Sequence, residues 1–326
     1  MKIKYILGFF ALLSIGACKK IQEGFQSDTI RYKDNNLYAK RGLILYQSDR
    51  INADGSTPPY TFKMLNLRKE DGSPAPAQFN TEYEITTFKP GMAFDVATDT
   101  TVALLNKKRE TVKRLPMYFN EASGQLTFNK ASANLPLGKY YFDVEMTNRT
   151  GTKLFPKLAT INVVDPETED LFVVTDNVAN GFNDVTGAVT AMRNPTITCT
   201  KISNLGARAI LKMVDKNGRT FNPKAGEIIK RGDRPIFENY AKFNPVIQTD
   251  TAMICDFEVA PFPLTKYVTP TTDWGFLMYY RIPSQFVTID NFPSSPGFSV
   301  NPRWSWQLKL EGTYVIQIKF NDVTKK

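Results

Sequence analysis

The sequence predicts an all-β protein of two tandem β-sandwiches set behind a membrane tether. Three features of its 326 residues carry that reading. Apolar side chains alternate with polar ones in short runs, the period of a strand with one buried face. Turn residues interrupt these runs about every ten positions, the spacing of sandwich strands. No segment sustains the pattern of a three-turn helix. Residues 102–115 come nearest, and their Lys/Arg/Glu face fits helix and strand equally.

The chain opens with Lys2 and Lys4, runs uncharged and mostly apolar from residue 5 to 18, and closes that stretch with Lys19 and Lys20. A membrane-spanning helix needs about 20 apolar residues, so residues 1–17 read as a secretory signal. Its end, Ile15-Gly16-Ala17-Cys18, resembles the lipobox of bacterial lipoproteins. Small residues let the peptidase hold the chain extended, and the cysteine thiolate takes the diacylglyceryl group. Cys18 is therefore the expected lipid-attachment residue, and several acyl chains on one terminus exceed the threshold for stable anchoring. The alternative is ordinary secretory cleavage with Cys18 incidental. Lipidation places the protein in the cell envelope, anchored to a membrane, with the outer membrane expected and its face unassigned.

Residues 18–36 are polar and aperiodic, with Gly24 and the Asp34-Asn35-Asn36 turn cluster, and read as a tether. The first sandwich is expected over 37–165. Its strands include residues 62–68 and a hairpin in which 117–119 and 126–128 flank the turn Glu121-Ala122-Ser123-Gly124. The cleanest strand places Tyr140, Phe142, Val144 and Met146 on one face, with Asp143, Glu145 and Thr147 on the other. After the turn Asn148-Arg149-Thr150-Gly151, Ala159, Ile161 and Val163 return. This Gly-x-Tyr strand, turn and final strand resemble the closing hairpin of bacterial immunoglobulin-like domains, over about thirty residues. The acid-rich stretch 165–170 reads as a domain boundary or a long turn.

The second sandwich is expected over 166–326. Ile197 and Cys199 alternate with threonines. Residues 209–214 run into Asp215-Lys216-Asn217-Gly218, and Asn-Gly is a strong hairpin signal. Met253, Cys255, Phe257 and Val259 share a face, and residues 274–282 are apolar on both faces. Leu308–Leu310 and 314–320 flank Glu311-Gly312-Thr313 as a C-terminal hairpin.

Composition narrows the chemistry. The chain has no histidine, which excludes Ser-His-Asp and Cys-His nucleophiles and any His-ligated zinc or haem. Phosphate-cradling glycine loops and the calcium-loop signature are missing from the sequence, so no cofactor or metal is expected. A pair of carboxylates, which needs no local motif, is the catalytic kit left open. Net charge is +9, two of it in the leader. The excess is dispersed rather than gathered in a stripe, so nucleic acid is not an expected partner.

Several runs are similar to an uncharacterised family of Bacteroidetes lipoproteins, known as a domain of unknown function. They are Glu23-Gly24-Phe25-Gln26-Ser27-Asp28-Thr29-Ile30-Arg31-Tyr32-Lys33, Arg41-Gly42, Asp54-Gly55-Ser56-Thr57-Pro58, Asp99-Thr100-Thr101 and Leu135-Pro136-Leu137-Gly138. The likeness covers most of the mature chain and is strongest before about residue 165. It implies an envelope lipoprotein encoded near outer-membrane glycan-uptake systems, and it carries no catalytic or binding residues to transfer. Lys19 and Lys20 depart from the acidic residues that follow the cysteine in surface-exported lipoproteins of that phylum.

Candidate binding residues are Trp274, Tyr279 and Arg281, because a strand apolar on both faces is either buried centrally or presents one face to a partner. Trp304 and Trp306 share a face with Leu308 and Leu310, which reads as a core stripe, with a sugar-stacking platform as the alternative. Cys199 and Cys255 allow a disulfide in an oxidising compartment or two buried thiols. Residues 165–170 read as a solvated linker, with a calcium site as the alternative. The leading expectation is a non-catalytic binding or accessory component that engages an outer-membrane protein or a glycan. A carboxylate-dependent glycan-cleaving enzyme and a structural spacer are the alternatives. Replacing Cys18 by Ser removes the thioether sulfur, so the Cys18→Ser chain should move to the aqueous phase of a detergent partition. Retention in the detergent phase would disprove this mode of anchoring.

Overall fold

Strands form where the two-residue period is strongest. In the computed structural model, which describes residues 24–326, Tyr140, Phe142, Val144 and Met146 all lie buried on one strand face. Cys18 and the start of the expected tether lie outside the described residues. The fold is all-β and of sandwich type, divided into two compact units.

The first unit comprises residues 24–83 and 114–165. Its strands are β1 (Asn36–Lys40), β2 (Leu45–Gln47), β3 (Thr61–Lys69), β4 (Met117–Phe119), β5 (Leu126–Asn129), β6 (Gly138–Asn148) and β7 (Gly151–Val164). One sheet has the order β1-β7-β6-β3 and the other β2-β5-β4. The β4–β5 pair is the expected hairpin, with Met117 opposite Phe128. Side chains from both sheets share one core around Phe62, Phe128 and Phe142.

Two expectations about this half need correction. The tether reading stops too late, because Ile30 and Tyr32 are core members and the Tyr32 hydroxyl donates to the Gly124 carbonyl. Two alternating apolar residues are too short a run to reveal a buried segment. The single cut after residue 165 is also incomplete, since Glu84–Lys113 belongs with the second unit. That excursion holds α1 (Val102–Lys107), capped by the Thr101 hydroxyl accepting from Leu104 N at 3.2 Å. A strand, Arg109–Arg114, follows directly. The ambiguous stretch is thus helix first and strand second.

The second unit adds residues 166–326. It begins with the short helix α2 (Thr168–Leu171) inside the acid-rich stretch. Its strands are β8 (Phe172–Asn183), β9 (Val189–Ala191), β10 (Thr196–Ser203), β11 (Ala207–Val214), β12 (Ile229–Lys230), β13 (Ile247–Gln248), β14 (Met253–Asp256), β15 (Leu277–Arg281), β16 (Phe298–Leu308) and β17 (Gly312–Lys319). They form two five-stranded sheets, β9-β8-β16-β15-β12 and β10-β17-β11-β14-β13. Trp304 and Trp306 from one sheet and Leu211, Tyr314 and Ile316 from the other meet in a single core.

The expected C-terminal hairpin is instead an arch. β16 pairs with β8 and β15, whereas β17 pairs with β10 and β11 in the opposite sheet. Both strands carry a continuous apolar face, and the arch lets those faces oppose each other across the core. Gly312 sits at φ +145°, where a Cβ would lie 2.6 Å from the Ser203 carbonyl oxygen.

The Asn217-Gly218 turn does not build a hairpin ladder either. Only Val214 and Thr220 bridge across it. The fully buried Asp215 carboxylate explains the difference. It accepts backbone N–H groups from Asn217 at 2.9 Å, Arg219 at 2.8 Å and Lys325 at 3.0 Å. The turn is thereby tied to the C-terminal segment, and its antiparallel return ends after the Val214–Thr220 bridge and the Phe221 N–H donating to the Met213 carbonyl at 2.9 Å. Burial works to raise the Asp215 pKa, but the three donors outweigh it and hold it below 3.8. A lowered folded pKa stabilises the fold above 3.8 and loses that contribution as pH falls through the folded value. Asp215→Asn should cost roughly 1–3 kcal/mol near neutral pH, because one amide face cannot accept. It should also flatten the decline in stability below pH 3.8, as read from urea melts across a pH series.

Candidate functional site

The candidate site lies on the outer face of β8, β16, β15 and β12. β16 sets its position. Val300, Trp304, Trp306 and Leu308 point into the core, with Trp304 0% and Trp306 1% exposed. The alternate residues Ser299, Asn301, Arg303 and Ser305 therefore take the opposite face of the sheet, where Ser299 and Asn301 are nevertheless buried. The stacking-platform alternative for the two tryptophans is excluded by this burial. β15 obeys the same rule. Met278 and Tyr280 join the core, Tyr280 stacking on Trp304 at 5.8 Å, while Tyr279 and Arg281 take the other face. The register places Tyr279 opposite Arg303 and Leu277 opposite Ser305.

Trp274 departs from its expected place. The strand starts at Leu277, and Trp274 stands in the preceding turn with Gly275 at φ +58°. Its N–H donates to the Tyr267 carbonyl at 3.0 Å. Its ring meets Tyr279 edge-on at 5.6 Å, so it belongs to the outward face and not with Met278 and Tyr280. Tyr279 itself is only 6% exposed although it is outside the core cluster. Its cover is cationic. The Arg234 guanidinium lies 5.5 Å and that of Arg231 6.0 Å from the Tyr279 ring centre, within cation–π range.

Local chain geometry supplies these arginines. β12 pairs Ile229 with Arg281 and Lys230 with Tyr280, so the next outward position is Arg231. The Gly232 turn, φ +58°, then returns the chain, and Tyr279 N donates to the Pro235 carbonyl at 2.8 Å. On the other side β8 bulges between Thr175 and Val178, opposite the single residue Trp304. Asp176 in that bulge, at φ +55°, accepts from Arg303 at 3.3 Å. Arg281 lies 4.2 Å over the Phe182 ring and donates through Nε to Asn301 Oδ1 at 2.9 Å.

The face is thus strongly cationic. Burial, and then the charges of Arg234, Arg281 and Arg303, lower the Arg231 pKa. Among the described residues neither Arg231 nor Arg234 forms a carboxylate pair. Two buried donors, Arg303 Nε and Asn301 Nδ2, have no hydrogen-bond partner. Such groups bind and orient negative charge rather than transfer protons, since guanidinium stays charged across the physiological range.

Of the expected binding residues Trp274 and Tyr279 meet, while Arg281 shares the sheet face of Tyr279 and packs over Phe182. Arg231, Arg234 and Arg303 were not foreseen. Arg303 had a readable signal, because it sits on the polar phase of the Trp304–Trp306 alternation. Arg231 and Arg234 sit in a turn-rich basic stretch, and nothing local ties it to residue 281. No family model matches the chain, and no curated protein is similar to it in sequence. Among the described residues no helix is long and apolar enough to cross a membrane.

Cys199 and Cys255 are free thiols, which corrects the disulfide alternative. Two strands, β17 and β11, separate β10 from β14. Three steps of about 4.8 Å exceed the roughly 7 Å limit between bridged Cα atoms. Burial pushes both thiols up to about 12. In the Cys18→Ser chain, a thiol reagent should therefore count two thiols after unfolding without reductant and react slowly with the native protein. Loss of both from the unfolded count would contradict the strand order.

Proposed function

We propose that this chain is a non-catalytic binding or accessory protein of the cell envelope, tethered to the outer membrane by lipid on Cys18. It engages a glycan or an outer-membrane protein partner through the outer face of β8, β16, β15 and β12. The observation that carries the reading is the gathering of Arg231, Arg234, Arg281 and Arg303 beside Trp274 and Tyr279 on a face whose reverse is core. Arginine and aromatic residues are the types enriched where binding energy concentrates. The signal-like leader ending in Ile15-Gly16-Ala17-Cys18 and the likeness to envelope lipoproteins support the location.

Two tryptophan substitutions separate binding from packing. Trp304→Ala removes a fully buried ring and should cost about 3–5 kcal/mol, seen as a sharp fall in melting temperature. Trp274 is only partly buried, so Trp274→Ala should move the melting temperature far less. The same variant should weaken capture on a glycan array or loss of a co-purifying envelope partner should accompany it. A wild-type chain that retains neither glycan nor partner would leave only a spacer role.

A further inference from the structure

The arginine cluster has a property that core packing does not explain. Four guanidiniums lie on one sheet face, and among the described residues the only carboxylate paired with them is Asp176, which meets Arg303 at 3.3 Å. Asp233 lies between Arg231 and Arg234 in sequence but is exposed. A second arginine–tyrosine pair among the described residues is built differently. There Arg68 lies 4.9 Å over Tyr141, and Asp143 neutralises it at 2.6 Å. The outer face of β15 and β16 has a positive excess with no equivalent counter-charge.

We propose that this face binds an acidic saccharide, its carboxylate or sulfate group seated among Arg231, Arg234, Arg281 and Arg303. The inference rests on the binding reading above and names the chemistry of the ligand. Four donor forks suit an oxyanion, because guanidinium matches planar and tetrahedral oxygens with paired N–H groups. Arg303 Nε and Asn301 Nδ2 are buried donors without an acceptor, a lack that Arg68 Nε of the neutralised pair shares, so the ligand contacts fall to the terminal guanidinium nitrogens. Asn301 is oriented by Arg281, whose Nε–H occupies its carbonyl oxygen. Arg231 and Arg234 cover Tyr279 and Arg281 covers Phe182 on the same sheet face, a short patch that suits a single charged group rather than the repeated phosphates of a nucleic acid. Trp274, edge-on to Tyr279, provides an apolar ring surface next to the charge for the C–H face of a sugar.

The full-length chain in detergent micelles tests this with three probes: polygalacturonate, chondroitin sulfate, and fully methyl-esterified pectin, which keeps the sugar backbone but loses the charge. At least one acidic polymer should bind, the esterified one at least tenfold more weakly, and affinity should fall as salt rises from about 50 to about 500 mM. Whichever acidic polymer binds identifies carboxylate or sulfate as the group. Arg231→Gln with Arg234→Gln should lower that affinity at least tenfold. Its melting temperature should hold or rise, because like charges without carboxylate partners are removed. Arg231→Lys should restore only part of the affinity, since a lysine keeps the charge without the fork. The inference is overturned if neither acidic polymer binds, or if the double glutamine variant binds as the wild type does. Binding of neutral glycans that depends on Trp274 would in that event leave the broader binding reading intact.

Discussion

The alternation of side chains along β16 is the constraint on which the second unit depends. Its inner phase carries Val300, Trp304, Trp306 and Leu308 into the core, and its outer phase carries Asn301, Arg303 and Ser305 to the candidate site. A register slip of one residue would bury the arginine and expose both indoles, so the two roles cannot vary independently. β15 is locked to the same register, because Met278 lies opposite Trp304 and Tyr279 opposite Arg303. The geometry of the cationic face is therefore set from behind, by packing.

That arrangement also explains how like charges can be gathered at all. Bringing guanidiniums together is unfavourable, and at Arg231 burial adds to the effect. The rings of Tyr279 and Phe182 offset part of it through their negative faces. Asp176 offsets another part, and it is available only because the β8 bulge turns it toward Arg303. The stability of the surrounding sandwich holds the residual strain in place.

Much of the fold was legible because one period dominated. Tyr140 to Met146, Trp304 to Leu308 and Met253 to Val259 all declare their buried faces by simple alternation. What was not legible depended on partners distant in sequence. The stretch around Glu311-Gly312-Thr313 reads as a hairpin turn, and only the pairing of β17 with β10 and β11 makes it an arch. The Asn217-Gly218 signal gave a return of a single bridge, and the Asp215 carboxylate, whose third donor is Lys325 far along the chain, ties the turn elsewhere. At the site, Arg281 and Tyr279 were visible within one apolar strand. Arg231 joins them through a two-residue edge strand too short to show any period.

The excursion of Glu84–Lys113 into the second unit has a consequence for synthesis. The chain leaves the first unit after Tyr83, re-enters it at Arg114, and leaves again after Asp165. A ribosome releases these residues in order, so the thirty-residue excursion emerges long before the strands with which it is grouped. The first unit can close once residue 165 is out, since its sheets need nothing beyond it. The excursion must then persist as an unfinished loop until residues of the second half of the chain arrive. Its composition suits that interval: residues 107–113 are dense in charge, with Lys107, Lys108, Arg109, Glu110 and Lys113 among them. Such a segment resists premature pairing with other nascent chains.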